Sequence, residues 1–195
     1  GDIVPEYISS FRQYREDVIG KYSSDLTEVG ADKCLLGKDW INSRAVVFRF
    51  DRRAFEIRVM DEQECIKSDV ALSCFLRALL RGMQSEGDTE LLPHEMLVED
   101  FRSIMKMGLS AETLHSRGPT ARHVCQHFFN IARRNATKGE KKYLPIVQKR
   151  IERGNLSEVI RKTVAAKAKK TDFEDAVIST YSRLIKSLVD NEPYF

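Results

Sequence analysis

Two charged residues stand where they could do chemistry together. Glu56 and Arg58 lie two apart in the run Ala54-Phe55-Glu56-Ile57-Arg58-Val59-Met60. In an extended strand they point to one face, while Phe55, Ile57 and Val59 point to the other. A carboxylate and a guanidinium side by side suit a sheet floor that holds a metal ion and an anionic phosphate together. Arg44, Arg49, Arg52, Arg53 and Arg58 all fall within fifteen positions. Arginine is the side chain suited to bidentate contact with phosphate or carboxylate. The plainer alternative is a surface hairpin laced by a cross-strand ion pair.

The element that must position these groups is a β-hairpin. Asn42 to Phe50 and Ala54 to Asp61 are short runs rich in Val, Ile and Phe that flank the polar Asp51-Arg52-Arg53, a hairpin pattern. With a two-residue turn at Asp51-Arg52, Val47 pairs with Glu56, and Arg49, Glu56 and Arg58 share a face. A three-residue turn brings Arg44 onto that face instead, so register decides the site.

The segment Asn42-x-Arg44-Ala45-x-x-x-Arg49, a short gap, Glu56-x-Arg58-x-x-Asp61 and an apolar helix resembles the closing hairpin of the glutamine synthetase-like ligase sheet. Within that superfamily it is most similar to the family-2 glutamate–cysteine ligases, or carboxylate–amine ligases. Their signature is a strand of the form Glu-x-Arg-Val-x-Asp running into an Ala/Leu-rich helix with an Arg-Ala-Leu-like end. Here those residues are Glu56, Arg58, Val59, Asp61 and Arg77-Ala78-Leu79. The resemblance is firm over residues 40–83, faint at Gly154-Asn155 and Arg161-Lys162, and absent before residue 30.

The resemblance implies ATP and Mg²⁺ as cofactors. It implies Glu56 as a ligand of the divalent cation, and Arg44 and Arg49 as groups that neutralise the ATP phosphates and the phosphoryl group in transfer. Arg58 would hold the substrate carboxylate or acyl-phosphate. Arg44, Arg49 and Arg58 are thus the expected catalytic set. One departure stands out: the superfamily often carries a further arginine two positions before the glutamate, and here that position is Ala54.

The remainder of the chain reads as mainly helical. Ile8, Phe11, Tyr14, Val18 and Ile19 predict an amphipathic helix from about Pro5 to Gly20, followed by a loop to residue 39. Trp40 is read as capping the core. Ser68 is the expected N-cap of a helix running to Gly82, apolar all round and packed on the Phe55/Ile57/Val59 face. Asp61 is the loop carboxylate the family pattern singles out; Glu62 and Glu64 read as solvated. Gln84 to Glu90 reads as a linker. Further helices are expected near 94–107, after Gly118-Pro119, over Tyr143 to Arg153, and after the capping pairs Asn155/Glu158 and Thr171/Glu174. In the last, Phe173, Ala176, Val177, Tyr181, Leu184, Ile185 and Leu188 form a core-facing stripe.

Composition narrows the partners. A net charge of +3 with 31% charged residues does not argue for nucleic acid or membrane. The lysines between Lys162 and Lys170 lack interleaved aromatics and read as a solvated face. His123 and His127 share a helix, yet no Glu follows His123 and no third ligand is evident, so zinc is not expected. Ser116-Arg117-Gly118-Pro119 reads equally as an anion site at a helix start or as a plain turn. Four cysteines without a CxxC pair suggest a reduced, cytoplasmic chain. Expected partners are small molecules, namely glutamate or another carboxylate and an amino acid or amine, with homo-oligomerisation admitted.

The expected fold is α+β, an antiparallel hairpin of a glutamine synthetase-like sheet followed by a mainly helical half. Residues 1–195 read as one domain, with a helix–hairpin–helix part at 1–83 and a helical part at 91–195. The chain opens at Gly1 rather than Met and reads as the C-terminal part of a larger ligase domain, with too few carboxylates of its own to hold Mg²⁺. ATP-dependent ligation through an acyl-phosphate is the expected function. A non-catalytic interaction module that keeps the ligase-like fold is the alternative.

Overall fold

A computed structural model describes residues 3–87, 91–115 and 117–195. The chain divides at Asp61 into two compact units, Gly1–Asp61 and Glu62–Phe195. The fold is α+β, with one antiparallel hairpin in a mainly helical chain.

The first unit begins its helix later than Pro5, because the hydroxyl of Ser10 accepts the Gln13 amide and caps it. Helix α1 (Phe11–Gln13) runs into a π-helical stretch, Tyr14–Gly20, and on into α2 (Lys21–Glu28). Gly20 therefore does not end the helix; its φ of −59° is helical. The reversal comes at Gly30, whose φ of +71° is readily open to glycine. Strands β1 (Val46–Arg49) and β2 (Ala54–Ile57) pair with Val47 opposite Glu56 and Arg49 opposite Ala54. That is the register of the two-residue turn. Tyr14 and Val18 are buried, and the Tyr14 ring meets Phe48 edge-on at 4.6 Å. Phe11 meets Phe48 at 5.5 Å and Phe50 at 5.7 Å. Phe55 and Val59, expected in the core, are 61% and 52% exposed, and Trp40 is exposed as well.

In the second unit, helix α3 (Ile66–Glu86) starts before Ser68 and passes through Gly82 to Gly87, whose left-handed conformation ends it. Residues 88–90 of the expected linker lie outside the described residues. Ser68 is not free to cap, since its hydroxyl bonds Glu64. Nor is α3 buried all round: Ile66 and Leu80 are exposed, while Ser68, Ala71, Ala78 and Gly82 are buried. Ala71, Ala78 and Gly82 let α5 (Ala121–Asn135) approach closely. Helix α4 (His94–Met107) precedes α5; α6 (Lys138–Lys141) and α7 (Leu144–Arg153) follow it. Phe129, Ala132, Leu144, Val147 and Ile151 complete the core against Ala71 and Ala78. Helices α8 (Leu156–Lys167) and α9 (Phe173–Asp190) pack on each other. Asn155 and Glu158 form a reciprocal capping box, while α9 is capped by Asp172 rather than Thr171.

Two carboxylates tie this unit together. Glu64, expected in solvent, is buried and accepts from Arg150 Nη2 at 2.6 Å, Ser68 Oγ at 2.9 Å and the Tyr194 amide at 2.9 Å. Glu140 accepts from Arg81 at 3.1 and 3.2 Å and from the Thr137 amide at 2.8 Å. No helix among the described residues is long and apolar enough to cross a membrane.

Two outcomes follow from this packing. A methyl on Gly82 would meet Ile131 Cγ2 at 2.5 Å and Asn135 Nδ2 at 2.7 Å. Gly82→Ala should lower stability by about 1–3 kcal/mol despite alanine's better helix propensity, read as a drop in the urea midpoint. The second concerns acid. Arg81, then the Thr137 amide, hold the Glu140 carboxyl down to about 2 from its ordinary 4.5. Its stabilisation is complete above pH 4.5 and lost as pH falls toward about 2. Urea titrations across that window should show the loss in the wild type and a shallower slope in Glu140→Gln; equal slopes would refute the assignment.

Candidate functional site

The charged face of the hairpin carries a three-residue ion cluster. Arg49 Nη1 donates to Glu56 Oε2 at 2.6 Å, and Arg58 Nε donates to Glu56 Oε1 at 2.8 Å. Register explains the first contact. Arg49 sits directly opposite Ala54, whose methyl leaves room for the guanidinium to reach diagonally to Glu56. The position that the superfamily often fills with arginine is therefore small here, and Arg49 reaches over it. Arg58 is held from its other end by the Asn42 carbonyl, which accepts from Nη1 at 3.0 Å. Two guanidiniums keep the Glu56 carboxyl below the usual carboxylate range, Arg49 contributing most.

Asp39 joins this cluster without having been foreseen. Its Oδ2 accepts the Phe50 amide at 3.2 Å, and its Oδ1 lies 3.9 Å from Arg49 Nε. Asp51 Oδ1 lies 3.7 Å from the same nitrogen. That Nε is buried with no hydrogen-bond partner. The face is not wholly open, because Val47, opposite Glu56, has no exposed surface. At the turn end, where Arg53 adopts a φ of +50°, Phe11, Phe48, Phe50 and Phe55 line a recess of about 360 Å³.

Arg44 does not join Arg49, Glu56 and Arg58. Its Nε and Nη2 donate to the two oxygens of Glu6, each at 2.6 Å, and the residue is 6% exposed. The Tyr22 ring lies 5.5 Å from its guanidinium carbon. Nothing in the sequence pointed to Glu6, which stands 38 residues away.

The residues here do not by themselves suit Mg²⁺. Both oxygens of Glu56 are committed to guanidiniums, and among the described residues no three of His, Cys, Asp and Glu come together as ligands would. A divalent cation bridging phosphates needs more oxygen ligands than one engaged carboxylate supplies. His123 is likewise used locally, its Nδ1 lying 2.8 Å from Thr120 Oγ1. The Ser116–Pro119 alternative includes Ser116, which lies outside the described residues. All four cysteines are free thiols.

Comparison with known proteins adds the decisive observation. The family model for glutamate-cysteine ligase family 2 (GCS2) matches residues 5–177, reaching back well before the hairpin. This chain belongs to glutamate-cysteine ligase family 2. An uncharacterized protein of Archaeoglobus fulgidus is 37% identical over 193 residues, 99% of this chain and 47% of its own length. The chain thus spans about half the length of the curated relative it matches. No solved structure matches it. Membership in this family supports a ligase-like fold.

The two kinds of arginine separate experimentally. Arg44→Met removes a buried guanidinium from Glu6 and should lower the melting temperature by several degrees. Glu56→Gln alters a half-exposed cluster and should leave it nearly unchanged. Thermal unfolding followed by circular dichroism checks both; equal shifts would contradict this division.

Proposed function

We propose that this chain supplies the anion-binding hairpin of an ATP-dependent carboxylate–amine ligase of the glutamate–cysteine type, and that the hairpin belongs to a larger glutamine synthetase-like sheet. The carrying observation is the pair of guanidiniums, Arg49 and Arg58, fixed on one face by a shared carboxylate. In this reading a substrate carboxylate oxygen attacks the γ-phosphorus of ATP, ADP leaves, and an amine then displaces phosphate from the acyl-phosphate to form an amide. Charge spreads over phosphoryl oxygens at the first step. Preoriented guanidiniums stabilise such charge without reorganising. Glu56 serves as the brace that sets their planes, and Arg44 as a scaffold for the segment leading into β1. Glutamate as acyl donor, an amino acid or amine as acceptor, and Mg²⁺ rest on the family alone; a cytoplasmic setting rests on four cysteines without a CxxC pair.

Metal-binding carboxylates would come from parts of a longer protein, consistent with a relative about twice this length. The 195-residue chain alone should accordingly bind ATP weakly or not at all. A second reading, an interaction module without catalysis, is favoured by one observation: both Glu56 oxygens are already engaged.

The experiment uses the longer protein carrying this chain, ATP, Mg²⁺, glutamate and hydroxylamine, which traps an acyl-phosphate as a hydroxamate. Hydroxamate formation should appear, and Arg49→Lys or Arg58→Lys, which keep charge but lose the planar fork, should reduce it by at least about tenfold. Unchanged rates in both variants would remove the arginines from the reaction. No ATP-dependent product with any amino acid would favour the interaction module.

A further inference from the structure

Glu56 braces the two guanidiniums from one side only. On the other side both are met by the segment ahead of β1. The Asn42 carbonyl accepts from Arg58 Nη1 at 3.0 Å, and Asp39 Oδ1 lies 3.9 Å from Arg49 Nε. Asn42 ties this segment together, its Nδ2 donating to the Asp39 carbonyl at 3.1 Å and to the hydroxyl of buried Tyr14 at 3.3 Å. The Nη2 nitrogen of each guanidinium has no hydrogen-bond partner among the described residues, which leaves it for an anion.

Arg49 is the less settled of the two. Its Nε is buried and donates to no acceptor among the described residues, although a buried N–H ordinarily has one. Two carboxylates stand near it, and they are not equivalent. Asp51 lies in the turn with a side chain 59% exposed and is 3.6 Å from Arg52 as well, so water and a second guanidinium screen it. The Asp39 side chain is only 20% exposed, beside 17% for Arg49. Its Oδ2 accepts the amide of Phe50, the residue after Arg49, at 3.2 Å. Asp39 is thus bonded to the backbone where β1 enters the turn, with its second oxygen near the unpartnered nitrogen.

We propose that Asp39 is the positioning residue of Arg49. It holds the ε edge of the guanidinium while Glu56 holds Nη1, so that Nη2 is presented to the phosphoryl oxygens; this last part rests on the ligase reading above. A shift of about 1 Å brings Asp39 Oδ1 and Arg49 Nε to the usual N–H···O distance. Two carboxylates on different edges fix the plane of a guanidinium, which one carboxylate on a single nitrogen does not. A donor fixed in this way needs no reorientation as charge develops on the phosphoryl group. Asp39 acts through Arg49 and needs no contact with substrate of its own.

The pairing is tested first without catalysis, by NMR measurement of hydrogen exchange at the Arg49 Nε–H of the isotope-labelled 195-residue chain. The resonance is assigned by its loss in Arg49→Lys. Asp39→Asn keeps an oxygen for the Phe50 amide but removes the charge, so exchange should speed at least about tenfold with the melting temperature nearly unchanged. Asp51→Asn should change it less than about twofold. Equal exchange in wild type and Asp39→Asn, or a larger effect of Asp51→Asn, would overturn the proposal. Hydroxamate formation by the longer protein is the second measurement. There Asp39→Asn should lower kcat at least about tenfold, but less than about twofold when Arg49 is already lysine, because a positioning residue acts only through the group it positions. Equal losses in both backgrounds would also overturn it. No hydroxamate from the wild type would remove the ligase reading instead, and the exchange measurement would still decide whether Asp39 positions Arg49.

Discussion

The pairing of Val47 with Glu56 decides everything about the first unit. Strand side chains alternate, so a slip of one residue would move Arg49 off the face of Glu56 and Arg58 and bring aromatic residues in its place. The register is held from both sides. Tyr14 and Phe11 grip Phe48 on the aromatic face, and the Arg49–Glu56–Arg58 cluster closes the polar face. The aromatic contacts carry the fold of the hairpin, and the half-exposed ion cluster aims its guanidiniums.

The helical unit depends on closeness of a different kind. Small residues at 71, 78 and 82 allow α3 and α5 to approach, and Asn135 and Ile131 fill the space over Gly82. Charge is then used where small residues leave polar groups to satisfy. Glu140 gathers Arg81 and the Thr137 turn, while Glu64 gathers Arg150, Ser68 and the chain beyond α9. Removing Glu64 leaves the buried Arg150 guanidinium without its partner, the situation in which buried pairs matter most.

Local signals in the sequence were readable, and distant ones were not. Period-two alternation revealed the face shared by Glu56 and Arg58, but it left two turn lengths open, and the structure has the register of the shorter. The Asn155/Glu158 box was legible because both partners lie within one turn. Arg44 was placed with the phosphate-binding set by resemblance, yet its guanidinium bonds Glu6, a partner no short-range pattern could reveal. Ser68 looked like a cap because a hydroxyl preceded an apolar run; Glu64 had already engaged it. For α9, periodicity named Phe173, Ala176, Val177, Tyr181, Leu184, Ile185 and Leu188 as core-facing, yet of these only Ala176 is buried, while Phe173, Tyr181, Ile185 and Leu188 are exposed.

The contacts of the first few residues have a consequence for the order of assembly. The Ala45 amide donates to the Ile3 carbonyl at 2.7 Å, alongside the Glu6–Arg44 pair. The N-terminal segment thus docks on a partner that is synthesised some forty residues later, whereas β1 and β2 are neighbours joined by a short turn. Closing the large loop costs more entropy than closing the hairpin and is recovered only once the strand start exists. The hairpin thus closes at a lower entropic cost than the contact of the N-terminal segment, which spans a loop of about forty residues.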